Sequence, residues 1–179
     1  QYQTNEELQN AMIGYLRYLR DNFYAPENVP VLANLTERRD EQVWYRYLEY
    51  LNGAMEEGCL VDWQTGYRSA DEWEAQVAKL ERTQALGKRI ICVAQGSRRA
   101  NDHQRFAFAS YLLAANGLAT FRYTDNEAYS EFWPFATYDL DLGQPLGPRY
   151  KDGAGWRRDF ARGSVFVDPL QRTAAITPR

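Results

Sequence analysis

Apolar residues recur at helical spacing in several stretches of this chain and crowd into short unbroken runs between them. Leu8, Met12, Leu16 and Leu19 share one stripe. Ahead of them Thr4-x-x-Glu7 is a capping box, in which the hydroxyl takes an orphan backbone N–H and the glutamate reaches back. Pro26 to Pro30 breaks that pattern, and Val29 to Leu35 (VPVLANL) reads as a buried strand. The spacing predicts a second helix from about Glu37 to Leu51, with Val43, Trp44, Tyr47, Leu48 and Leu51 on one face and Asn52-Gly53 as its stop. GAMEEGCLV then predicts another strand. Ser69-x-x-Glu72 opens a third helix carrying Trp73, Val77 and Leu80, and Gly87 ends it. Arg89 to Gly96 (RIICVAQG) is rich in β-branched residues and predicts a strand. Arg105 to Ala115 is apolar nearly all round, as a buried helix would be, and Leu118 to Asp125 predicts a fourth strand.

Helices and strands therefore alternate, and strands apolar on both faces imply a parallel sheet covered on both sides. Two architectures fit: a small doubly wound sheet, or the C-terminal half of a (β/α)8 TIM-type barrel with about four parallel strands. A whole barrel takes about 250 residues, and the chain has 179. A half barrel would leave an inner face and two strand edges bare, so that reading expects the N-terminal half of the same protein to complete it. Past Asp125 the helical period stops. Gly and Pro punctuate the residues up to Gly155, an ordered loop, before GSVFVDP and RTAAITP predict two short strands with Gly163 at a hairpin turn.

Composition narrows the function only a little. The net charge of −3 and the absence of a basic face argue against a nucleic-acid partner. No apolar run is long enough to span a membrane, and QYQTNEELQ has neither the basic nor the apolar region of a signal peptide. Cys59 and Cys92 lie in or beside apolar strands, where buried free thiols are the default expectation. No metal-ligand spacing, P-loop or GxGxxG occurs, so neither a metal nor a cofactor is indicated. His103, the single histidine, suits a surface or hydrogen-bonding place better than a general base.

YDLDLGQPLGPRYKDGAGWRRDFARGSVFVDP, from Tyr138 to Pro169, resembles the end of the hypothetical glycoside-hydrolase-like family 15. Members of that family finish on a motif of the type LG-x-P-x-G…W-x-R-x-F-x-x-G-x-V-x-V-x-P. VLANL is similar to the family's strand ending in Asn, NGAMEEG to its strand ending in a glutamate after Asp/Asn-Gly, and ATFRYTDN to its last barrel strand. The resemblance implies that residues 1–127 are the second half of a (β/α)8 barrel, 128–155 a long ordered loop, and 156–179 a β-rich tail packing on the barrel or starting a β-domain. It also implies a carbohydrate polymer as partner and an extracellular or cell-surface location. Trp156, Arg157, Arg158 and Phe160 would then be scaffold. One departure stands out: Ala136 and Thr137 precede Tyr138 where the family pattern has an acidic pair.

Barrel chemistry sits at the C-terminal ends of the strands. Glycoside hydrolysis needs two carboxyl groups, about 5 Å apart for retention and about 6.5–9.5 Å for inversion. A glutamate at an apolar strand end suits the acid, because desolvation raises a carboxyl pKa. Glu56 and Glu57 are adjacent, so a strand sends them to opposite faces, and the family-like spacing after Gly53 favours Glu57 as the catalytic one. Asp125 is the second catalytic candidate, although Asp-Asn after a strand is also ordinary turn chemistry. Asn34, Glu56, Trp63, Gln95, Tyr123 and Trp133 are the expected substrate-binding residues. Tyr67, Tyr129 and Phe132 join the aromatic residues near the same loops, where they suit either a sugar platform or the burial of a long loop. The expected function is a glycosidase-like hydrolase acting on or binding a polysaccharide. The alternative is a non-catalytic extracellular surface or filament-associated protein with a degenerate site, and a third reading is a small α/β module unrelated to sugars.

Overall fold

A computed structural model describes residues 2–35, 41–62, 64 and 66–179. Helix α1 (Asn5–Leu19) starts where the capping pattern puts it: Thr4 Oγ1 accepts the Glu7 N–H at 3.1 Å. The glutamate reaches back to the Gln3 N–H at 2.7 Å, one residue before the cap. A π-helical turn (Arg20–Tyr24) follows. Strand β1 (Leu32–Asn34) is shorter than the expected run. Helix α2 (Glu41–Leu48) comes next, its expected start at Glu37 lying outside the described residues. Strand β2 (Gly53–Glu57) leads into a small hairpin of β3 (Val61–Asp62) and β4 (Gly66–Tyr67). Helix α3 (Ala70–Ala85) opens on the complete Ser69/Glu72 capping box. Strand β5 (Arg89–Gln95), helix α4 (Asn101–Ala114) and strand β6 (Ala119–Thr124) finish the alternation.

The main sheet is parallel throughout, in the order β1-β2-β5-β6. Order in space follows order in the chain without reversal. Right-handed crossovers that always step the same way put their helices on one face. That face carries Ala54, Glu56, Ile90, Cys92, Ala94 and Tyr123, all buried with Trp44, Leu48, Trp73, Val77, Leu80 and Phe106 from the helices. The opposite face is not covered as the sequence led one to expect. Leu32, Asn34, Arg89 and Thr120 are exposed there, and Met55, Glu57, Ile91 and Arg122 are only half-buried. Side chains on it are buried only at its C-terminal end, at Val93, Gln95 and Thr124. The border at β6 is partly occupied, since the Tyr111 hydroxyl donates to the Ala119 carbonyl at 3.0 Å.

Cys59 and Cys92 are not free thiols. They form a disulfide with their Cα atoms 5.4 Å apart. The pairing was hidden in the sequence because the two residues approach only through strand register: Glu56 lies beside Cys92, and the Cys59 N–H donates to the Val93 carbonyl at 3.0 Å.

The tail is a four-stranded antiparallel sheet rather than two strands: β7 (Tyr150–Asp152), β8 (Gly155–Phe160), β9 (Gly163–Asp168) and β10 (Thr173–Pro178), in the order β10-β9-β8-β7. The first two fall in residues read as loop and arginine-rich segment. β7 is short and wholly exposed, and β8 sets charges on both faces, so neither shows the alternation that marks a strand. Gly153, at φ 57°, makes the β7–β8 turn. Gly163 serves close packing instead of turning, for a Cβ there would meet Leu142 Cδ2 and the Thr177 carbonyl at 2.6 Å.

Two arginines fasten this sheet to the helices. Arg158 is 6% exposed and donates to the carbonyls of Leu112 (3.0 Å), Ala115 (2.6 Å) and Gly147 (2.9 Å), so it closes the C-terminus of α4. Arg149 pairs with both Glu74 and Glu81 of α3 and lies 3.8 Å over the Trp156 ring. Phe160, Val165 and Val167 belong to the same apolar core as the helices. Arg149, Arg158, Trp156 and Phe160 thus join the tail to the helices, whereas Arg157 pairs within its own sheet with Asp159 at 3.1 Å.

Candidate functional site

Polar side chains gather at the C-terminal end of the sheet face that the helices leave open. Register sets them in rows: Asn34 beside Met55 and Ile91, then Glu57 beside Val93 and Arg122, then Gln95 beside Thr124. Strand alternation decides which of the two adjacent glutamates takes part. Glu56 points to the helix face. It is 1% exposed, accepts from Lys79 Nζ at 2.9 Å and from Gln76 Nε2 at 3.4 Å, and the same ammonium lies 4.8 Å from the Trp44 ring. Glu57 points the other way, where its Oε1 accepts the Tyr129 hydroxyl at 3.1 Å. Gln95 Nε2 donates to that same hydroxyl at 2.7 Å. The centre of the site is thus a relay from Gln95 through Tyr129 to Glu57.

Tyr129 reaches this place because the segment after β6 folds back over the strand ends. Asp125 Oδ1 accepts the Glu127 N–H at 2.9 Å and makes the first turn. Thr124 Oγ1 donates to the Ala128 carbonyl at 3.1 Å. Arg122 Nη2 then donates to the carbonyls of Ala128 (3.4 Å), Tyr129 (2.5 Å) and Glu131 (2.8 Å), with its guanidinium carbon 5.7 Å from the Tyr129 ring. Burial pushes the Tyr129 phenol up. The Gln95 amide pulls it down, and the Glu57 carboxylate pushes it up again through its bond and its charge.

The expected residues divide accordingly. Glu57 and Gln95 meet in one network, with Asn34 exposed on the same face. Asp125 is engaged in its turn, and Glu56 is held in an ion pair behind the sheet. Tyr123 is 2% exposed on the helix face, and burial raises its phenol pKa. Trp133 is buried against Tyr123 and Phe135, and its indole N–H donates to Glu131 at 2.9 Å. Both are almost wholly enclosed and leave little of their rings exposed. Phe132, by contrast, is 79% exposed beside a cavity of about 300 Å³ lined by Arg122, Tyr129 and Trp133. Trp63 lies outside the described residues. Tyr67 packs edge-on against His103 at 4.3 Å, and burial lowers the imidazole pKa. Tyr129 was expected only as an aromatic face near these loops, not as the hydroxyl that joins Gln95 to Glu57, and Arg122 was not expected at all. The available signal was an arginine within a strand run followed closely by a polar, aromatic loop.

Among the described residues no helix is long and apolar enough to cross a membrane. None of the curated proteins matches the chain. The family model for hypothetical glycosyl hydrolase family 15 matches residues 1–164, which takes in the sheet, the relay and the tail as far as the start of β9. The chain belongs to the hypothetical glycosyl hydrolase family 15.

Proposed function

We propose that this chain supplies the C-terminal half of a (β/α)8 barrel whose rim acts on a polysaccharide, with Glu57 as one of the two reacting carboxyl groups. The observation that carries the reading is the position of Glu57. It stands at a strand's C-terminal end, on the face away from the helices, tied to Tyr129 and beside the row that carries Gln95. The unreversed strand order and the open second face support the barrel, since a doubly wound sheet reverses direction and covers both faces. In α1, Leu8, Met12, Tyr15 and Tyr18 are exposed, as a helix waiting for a neighbour would leave them.

The second carboxyl group comes from the other half of the barrel or from Asp125 after its turn opens. Its distance from Glu57 decides between retention and inversion. Exposed Phe132 is the aromatic face offered to a sugar ring. The buried disulfide supports an oxidising, extracellular or cell-surface setting.

A second reading, a carbohydrate-binding protein without hydrolysis, is favoured by Ala136 and Thr137. The Thr137 hydroxyl donates to Gln104 Oε1 at 2.9 Å, which is a packing role where an acid is expected. Full-length protein and its Glu57→Gln variant, assayed on a panel of polysaccharides, separate the two. Hydrolysis that the variant loses supports the enzyme, and equal rates remove Glu57 from the mechanism. Retention on a polysaccharide column without hydrolysis supports the binding protein.

A further inference from the structure

We propose that Tyr129 is the positioning residue of Glu57, and that the loop after β6 is built to deliver its hydroxyl to that carboxylate. The argument starts with what holds the loop. Asp125 makes the first turn, Thr124 takes the Ala128 carbonyl, and Arg122 takes three successive or near-successive carbonyls. The backbone around Tyr129 is therefore fixed without any help from the phenol. The hydroxyl is used elsewhere: it receives the Gln95 amide N–H at 2.7 Å and gives its own proton to Glu57 Oε1 at 3.1 Å. A phenol has one proton and can accept on its oxygen. With Gln95 donating to that oxygen, the proton is directed at the glutamate.

The consequence for Glu57 is geometric. One carboxylate oxygen is tied to a rigid aromatic side chain, which restricts the χ angles of an otherwise flexible residue. Glu57 and Tyr129 are separated by 72 residues, so this restraint exists only when the loop is docked. Holding a reacting group in its attack geometry is a large part of the rate an enzyme achieves, and an error of about 1 Å can cost about 100-fold.

The activity arm of the test rests on the hydrolase reading; a second arm does not. In full-length protein labelled at the tyrosine 13Cζ position, the Tyr129 resonance is identified by its loss in Tyr129→Phe. Its titration midpoint should fall in Glu57→Gln, which removes a charge and an acceptor that push the phenol up. It should rise in Gln95→Leu, which removes the donor that pulls it down. A midpoint unchanged by Glu57→Gln overturns the proposal, whatever the protein's activity. In the activity arm Tyr129→Phe should lower kcat by up to about 100-fold while KM moves little, and Gln95→Leu should lower it less. Full kcat in Tyr129→Phe, with active wild type, also overturns the proposal. A wild type that hydrolyses nothing sinks the hydrolase reading alone, and the titration still decides whether phenol and carboxylate are linked.

Discussion

Glu56 and Glu57 are neighbours in the chain with opposite fates, and strand alternation is the whole cause. Glu56 is enclosed with Lys79, and such a pair is costly to break from one side because a buried charge is left alone. Lys79→Met should destabilise the fold by about 3–5 kcal/mol, while the double variant Glu56→Leu/Lys79→Met should come back close to wild type. Urea unfolding of both variants checks this, and a double variant as unstable as the single one would contradict it. The Cys59–Cys92 bridge closes a loop with a sequence separation of 33. Replacing both cysteines by alanine should cost about 3–4 kcal/mol, read as a lower denaturant midpoint that no longer responds to reductant. The alternation that separates the two glutamates could be read from spacing. The disulfide could not, because it depends on which strand lies beside which.

At the scale of elements, α1 and α3 announce themselves through caps and stripes, α2 through its stripe and α4 through an apolar run, and each appears near its expected place. Local signals fail where stability comes from contacts with other elements. β7 and β8 have little apolar alternation of their own and are held by pairing and by Arg149 and Arg158. The two arginines should not count equally. The carboxylates that Arg149 meets are more than a third exposed, so water competes for them and Arg149→Met should cost under about 1 kcal/mol per pair. Arg158 serves buried carbonyls at a helix end, and Arg158→Met should cost about 2–3 kcal/mol. Thermal melts of the two variants give the order, and an Arg149 variant less stable than the Arg158 variant would reverse it.

For the whole molecule, the proposed barrel makes a definite demand on the two borders of the sheet. Residues 31 and 35 bond β2 through their main chain, so the amides of Leu32 and Asn34 face outward from β1. Leu118 and Thr124 likewise bond β5, which sets the Phe121 amide toward the free border of β6. The proposed cylinder would pair these borders with further strands. Hydrogen exchange at Leu32 and Phe121 should then be as slow as at the central strand β5. Fast exchange at both would mean that the sheet ends where these residues end, and the half-barrel reading would fall.

The helices, the four strands of the main sheet, their order and the separation of Glu56 from Glu57 were legible because they rest on short-range rules: a cap three residues from its acceptor, a stripe of period 3.6, a face of period 2. The family motif in the tail was legible for the same reason, as a local pattern. Nothing local brings Tyr129 to Glu57, Cys59 to Cys92 or Arg158 to the end of α4, for these partners lie 72, 33 and more than 40 residues apart. Such meetings depend on strand register and on how a loop without any period folds back. They emerge only when the packed chain brings distant segments together.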